Sequence, residues 1–236
     1  MLIPAAWACA PQVSEDTPVE RRTVPARMVE PIAPAPKPEA QQRVAAEPLV
    51  VFLGDSLTAG LGLAENQAYP ALVEKELEKD GTPVRVLNAG VSGDTTAGGL
   101  ARLDWLLSQK PDVMVVGLGA NDGLRALPVE QTEKNLREIV RRAKAAGAEI
   151  LLLGMMIPPN YGPEYTTQFA EMYPRIADDL DVPLVPFLLE GVGGVRELNL
   201  PDGIHPNAEG QKILAENVLP HLATLLKAPA EVAAGQ

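Results

Sequence analysis

From Leu49 onward, apolar residues fall into two alternating patterns: short unbroken runs, and longer stretches with helical spacing. Leu49-Val50-Val51-Phe52-Leu53 is continuous and rich in β-branched residues, which predicts a strand covered on both faces. Similar runs predict strands at Val84–Leu87, closing at Asn88-Ala89-Gly90, and at Val113–Val116 and Ile150–Leu153. A fifth, Val182–Phe187, is interrupted by prolines that suit a sheet edge. Between the strands, Tyr69–Lys79 is amphipathic, and Leu100, Leu103, Leu106 and Leu107 recur at helical spacing as core contacts. Pro128 opens a helix that reaches Ala146, with Leu136, Ile139, Val140 and Ala143 on one face. The opposite face pairs Glu130 with Lys134, Glu133 with Arg137 and Glu138 with Arg142, as a solvated helix surface does. A last helix after Asn207 sets Ile213, Leu214, Val218, Leu222 and Leu225 on its apolar face, and Pro220 predicts a kink in it.

Strands alternating with helices predict an α/β fold, a parallel sheet with helices on both sides. Five strands suggest the three-layer flavodoxin-like arrangement in the order 2-1-3-4-5, where ligands bind beyond the carboxyl ends of the strands. The polar, glycine-rich segments fall at those ends. Ser56 follows the first strand, Gly93 the second, Asn121 the third, and the Asp202–His205 turn the fifth.

Residues 1–48 break the pattern, with nine prolines and no periodic apolar run after Ala10. Such a stretch buries too little apolar surface to offset its chain entropy, so a disordered tail is expected there and again at 228–236, around a single domain at 49–227. The net charge of −11 and the lack of any basic block argue against a nucleic-acid partner. No apolar run approaches the ~18 residues of a membrane span. The single cysteine, Cys9, excludes an intrachain disulfide. Its surroundings, Pro4-Ala5-Ala6-Trp7-Ala8-Cys9-Ala10, look like the end of a bacterial lipoprotein signal, although no basic n-region precedes them. The expectation is an exported protein, periplasmic or tethered to the outer membrane by lipid at Cys9, with a cytoplasmic location as the alternative.

A serine hydroxyl attacks an ester only when a neighbouring imidazole takes its proton and a third group holds that imidazole. Of two histidines, His205 lies three residues after Asp202 and before Pro206, whose ring disfavours helix at His205 and so predicts a turn returning the carboxylate to the imidazole. Ser56, in Leu53-Gly54-Asp55-Ser56-Leu57, is the candidate nucleophile. Thr58 stands where a G-x-S-x-G elbow needs glycine, so that pattern is not supported. Oxyanion donors are available in Gly90-Val91-Ser92-Gly93-Asp94-Thr95-Thr96, where Gly90 and Gly93 both qualify, and at Asn121. Alternatively, both loops are ordinary turns with Asp94, Thr95 and Asp122 as helix caps. Asp55 is expected to hydrogen-bond within its own turn, and His221 to be structural. Asp202 and His205 lack companions for a metal site, and no cofactor is expected.

Taken together, these four segments resemble, in order, the motif blocks of the SGNH, or GDSL, hydrolase family, and most closely its bacterial thioesterase I, lysophospholipase and arylesterase subgroup. Further matching stretches are Gly98-Gly99-Leu100-Ala101-Arg102-Leu103 and Pro158-Pro159-Asn160-Tyr161-Gly162. The resemblance implies a serine esterase with Ser56 as nucleophile, His205 as base and Asp202 as its orienter. It implies an oxyanion hole from the Ser56 and Gly93 N–H groups and the Asn121 side chain, and favours Gly93 over Gly90. The substrate would be a small carboxylic ester, with thioesters and lysophospholipids within reach. A carbohydrate O-acetylesterase or acyltransferase with the same residues, or a non-catalytic binding module, are the rivals. Ile157, Pro158 and Tyr161, beyond the fourth strand, are expected to wall an acyl groove, while Met155 and Met156 are divided between groove and core.

Overall fold

The computed structural model describes residues 47–227. The proline-rich segment with Cys9 and the stretch 228–236 lie outside the described residues.

Five parallel strands, β1 (Leu49–Gly54), β2 (Arg85–Gly90), β3 (Val113–Gly117), β4 (Glu149–Leu153) and β5 (Leu184–Val185), form one sheet in the order β2-β1-β3-β4-β5. Residues 50–53 of β1 and 113–116 of β3 are buried throughout, which is why both read as unbroken apolar runs. β5 is only two residues long, shorter than the predicted Val182–Phe187. Pro183 and Pro186 on either side of it lack the N–H that a longer ladder needs, although the Pro183 and Val185 carbonyls accept from the N–H groups of Leu152 and Gly154.

The helices form two groups. Helix α2 (Tyr69–Lys79) packs on α8 (Ala208–Lys227). In the other group, α3 (Thr96–Ala101) packs on α6 (Val129–Ala145) and α6 on α7 (Pro163–Leu180). The expected leucine-spaced helix is broken at Arg102 into α3 and α4 (Leu103–Ser108), with Leu103 and Leu106 fully buried. At the break, the Arg102 guanidinium donates to the Asp94 carboxylate and to the Gly54 carbonyl, tying this corner to the end of β1. Helix α8 runs unbroken through Pro220.

Helix α7 has no counterpart among the sequence expectations. Its apolar face, Phe169, Met172, Tyr173, Ile176 and Ala177, is buried at regular helical spacing, but Pro174 sits inside it and Pro163 at its start. Tyr161, just before the helix, and Tyr165, Phe169 and Tyr173 on it follow one another with ring centroids 5.8–6.4 Å apart, tilted in the first two pairs and edge-on in the last, favourable aromatic packing in a helix that lacks the Pro174 N–H.

Across the sheet, Gly54 pairs with both Gly90 and Gly117, a row of glycines at the strand ends. A Cβ on Gly54 would run into the Thr58 side chain, and one on Gly90 into the backbone of Ala59. Their absence lets the short helix α1 (Ser56–Ala59) sit directly on the sheet end, which carries Ser56 to the mouth of the fold.

Candidate active site

Helix α1 starts one residue after β1, so Ser56 stands at its first position, where the backbone N–H has no intrahelical partner. Asp55 caps the helix, its Oδ1 accepting from the Leu57 N–H at 3.0 Å. Beneath, Gln211 of α8 joins α1 to α2, its Oε1 accepting from the Tyr69 N–H at 2.8 Å and its Nε2 donating to the Leu57 carbonyl at 3.2 Å.

The turn before α8 does what Pro206 implied. Asp202 Oδ1 accepts from the backbone N–H of Ile204 at 2.9 Å and of His205 at 3.0 Å, and its Oδ2 lies 2.7 Å from His205 Nδ1. These bonds, the His205 N–H foremost, hold the Asp202 carboxyl down at about 2. An ionised carboxylate only accepts, so Nδ1 carries the proton and Nε2 is left as the acceptor. His205 Nε2 lies 2.9 Å from Ser56 Oγ. Residues 149 apart in sequence thus form one hydrogen-bonded chain, Asp202 to His205 to Ser56. The turn is anchored from behind, where the Asn199 amide donates to the carbonyls of Val192 and Val195.

The two glycine candidates differ in what their N–H groups do. That of Gly90 is committed to Asn88 Oδ1 at 2.9 Å. Gly93 adopts φ +81°, and its carbonyl accepts from Arg125 at 2.8 Å, so the loop around it is strapped to the end of α5 (Ala120–Leu124). Asn121, in the first turn of α5, adds a second strap, Nδ2 donating to the Asp94 carbonyl at 2.9 Å, and the same Nδ2 lies 3.3 Å from Asp55 Oδ2.

Of the suggested caps, Thr95 does cap α3, accepting from the Gly98 N–H. Asp94 instead pairs with Arg102, and Asp122 works at a distance. Buried at 2% exposure, Asp122 takes the Thr96 N–H at 2.8 Å and the Thr96 hydroxyl at 2.6 Å, with the Thr132 hydroxyl at 3.4 Å. It ties α3, α5 and α6 together behind Asn121. Sequence reasoning missed this link and that of Gln211, since each joins residues far apart in the chain.

Ser56, Asn121 and His205 line one cavity of about 450 Å³. Its walls are mainly apolar, with Leu124, Met155, Met156, Ile157, Pro158 and Leu189 among them. Ile157 serves two purposes, facing the cavity and packing on Gly123 and Phe169. Met155 is buried in the core as well, whereas Met156 is half exposed at the rim. Tyr161 does not join the wall, contrary to expectation. The short turn Pro159–Tyr161 directs its hydroxyl to the Leu124 carbonyl at 2.8 Å and its ring onto Tyr165, so it buttresses the wall from outside. Gly93 is not among the residues that line the cavity. His221 lies on α8, away from these residues.

Comparison with known proteins places the chain in a family. The chain is 49% identical over 186 residues to "Esterase TesA" of Pseudomonas aeruginosa, covering 78% of this chain and 92% of that protein. It is 43% identical over 185 residues to "Thioesterase 1/protease 1/lysophospholipase L1" of Escherichia coli K12, covering 78% and 88%. The crystal structure of TesA superposes with a TM-score of 0.73 at 48% identity, covering 75% of this chain and 99% of that one. A family profile matches residues 52–213, a span that takes in Ser56, Gly93, Asn121, Asp202 and His205, and the chain belongs to the GDSL-like Lipase/Acylhydrolase family.

Proposed function

We propose that the protein is a serine esterase that hydrolyses carboxylic esters through an acyl-Ser56 intermediate. The observation that carries this reading is the Asp202–His205–Ser56 hydrogen-bonded chain opening onto an apolar cavity. In the first step Ser56 Oγ attacks the ester carbonyl while its proton passes to His205 Nε2, 2.9 Å away. Asp202 stays ionised, keeps the imidazole in the tautomer that accepts at Nε2, and stabilises the imidazolium that forms. The negative charge on the former carbonyl oxygen is met by the N–H groups of Ser56 and Gly93 and by the Asn121 amide. His205 then gives its proton to the departing alcohol. In the second step a water, deprotonated by His205, attacks the acyl carbonyl; the bond to Ser56 Oγ breaks, the carboxylic acid departs, and Oγ takes the proton back from His205.

Between the two glycines, the engaged Gly90 N–H favours Gly93 as the second donor. The apolar walls suit short-to-medium acyl chains better than a sugar, and the cavity volume is of the size common for small-ligand sites, about 300–1,000 Å³. The E. coli relative's name extends the reading to acyl thioesters and lysophospholipids. Among the described residues no helix is long and apolar enough to cross a membrane. Export to the periplasm, with residues 1–48 as a tether from a lipid-bearing Cys9, is supported by the residues around Cys9. Turnover of p-nitrophenyl acetate through decanoate, with matching acyl thioesters, tests the reading when run on the unmodified enzyme, His205→Ala and His221→Ala. Loss in the first variant and retention in the second are expected. The reverse outcome excludes His205 as the base.

A further inference from the structure

Asp55 is the carboxylate of the cavity lining for which the two-step mechanism has no use, and at 1% exposure it is the most deeply buried carboxylate among the described residues. Its surroundings are unusual for a carboxylate. His205 faces it across the site, Asp94 from the loop after β2, with Arg102 taken up by Asp94, and the hydroxyls of Tyr69 and Tyr173 from α2 and α7. Among the described residues no Lys or Arg bonds to it. Its two oxygens have separate partners. Oδ1 takes the Leu57 N–H at 3.0 Å, and Oδ2 faces Asn121 Nδ2 over a long 3.3 Å.

Asn121 has two amide hydrogens. One goes to the Asp94 carbonyl at 2.9 Å, and the other is left between Asp55 Oδ2 and the cavity. A carboxylate can only accept, so it favours the NH2 of Asn121 over the amide oxygen on its side. The length of the contact matters as well, because a weak bond is readily yielded to a developing oxyanion. A protonated carboxyl reverses this logic. With Oδ1 kept by Leu57, the proton resides on Oδ2 and meets the Asn121 NH2 donor against donor. A half-turn of the amide relieves that contact, but it withdraws the N–H groups from the Asp94 carbonyl and from the cavity.

We propose that Asp55 is a positioning residue for Asn121: as an anion it holds the amide in its donating orientation, and as a neutral acid it turns the amide over. The inference rests on the reading of Asn121 as an oxyanion donor. Burial, the largest influence, pushes the Asp55 carboxyl up to about 6 against the lowering effects of the Leu57 N–H and His205. The change in orientation therefore falls within a pH range that is easily assayed.

Asp55→Asn places an amide NH2 against that of Asn121 at every pH and so mimics the protonated state. Its kcat should fall, by at most the ~10²–10³-fold that loss of one oxyanion donor causes, with KM little changed. In the Asn121→Ala background the same substitution should lower kcat no further. The kcat–pH profile supplies the second readout and needs no variant. The unmodified enzyme should show an acid limb that steepens toward a slope of two below about pH 6, the added proton being that of Asp55, while D55N should approach a slope of one. A slope of one in the unmodified enzyme overturns the inference even if D55N fails to fold. Additive losses in the double variant, with Asn121→Ala itself impaired, overturn the inference alone. An unimpaired Asn121→Ala removes Asn121 from the oxyanion hole, and the inference with it.

Discussion

Replacing Asp55 by asparagine should change the way the folded state responds to pH. In the folded chain its carboxyl is raised from 3.8 to about 6, chiefly by burial, so the folded state binds this proton more tightly than the unfolded chain does. Between those values stability falls as pH rises, and above pH 6 the full penalty of a buried charge is present. At 1.36 kcal/mol per unit, the change amounts to about 3 kcal/mol. Asp202 acts in the opposite sense: held at about 2, it contributes stability above 3.8 that is lost as pH falls through about 2. That contribution is common to both proteins and cancels in their difference. The assay is urea unfolding of both proteins at intervals from pH 4 to 8. The stability of D55N relative to the parent should increase with pH by up to ~3 kcal/mol and level off above pH 7. The donor–donor contact with Asn121 adds a constant offset and leaves this slope untouched. A difference that stays constant across the range would refute the assignment of Asp55 as a buried ionising group.

Asp122→Ala strands the buried Thr96 N–H and removes the acceptor of its hydroxyl, which keeps only the bond from Asn135 Nδ2, at about 1–3 kcal/mol for each donor left unsatisfied, so thermal melting should fall by several degrees; an unchanged Tm would show that the link between α3, α5 and α6 carries no stability. Ile157→Ala should destabilise the fold by about 2–5 kcal/mol because of its packing on Gly123 and Phe169. The same variant should lose more kcat/KM on octanoyl than on acetyl esters, since ~0.8 kcal/mol attaches to each buried methylene; equal losses would limit Ile157 to a structural role.

How much could be read from the sequence follows the range of the interactions. The buried strands β1 and β3 declare themselves as apolar runs, and strands alternating with helices lead to the sheet order. The Asp202–His205 turn is local, set by four residues and Pro206, and so is legible in the same way. Helix α7 was hidden because Pro174 contradicts a helix locally, while the aromatic packing along it depends on the fold. The short β5 shows the converse, since its apolar residues suggest a longer strand than its flanking prolines allow. Choosing between Gly90 and Gly93 requires knowing that Asn88 takes the Gly90 N–H, a side-chain orientation with no sequence signature. Asp55 reads as a turn cap and is one, but its burial against Asn121 arises from residues 66 positions apart. Tyr161 was misjudged because being adjacent to the groove in sequence did not decide which way its ring would turn.

The proposed mechanism makes Ser56 Oγ, activated by His205, the attacking atom. Reaction of the purified protein with a fluorophosphonate, followed by intact-mass and peptide mass spectrometry, tests this assignment. One adduct per chain is expected, on the peptide containing Ser56. No adduct is expected in Ser56→Ala, and labelling of His205→Ala should slow by orders of magnitude with its fold intact. An adduct on any other residue, or ester turnover preserved in Ser56→Ala, would contradict it.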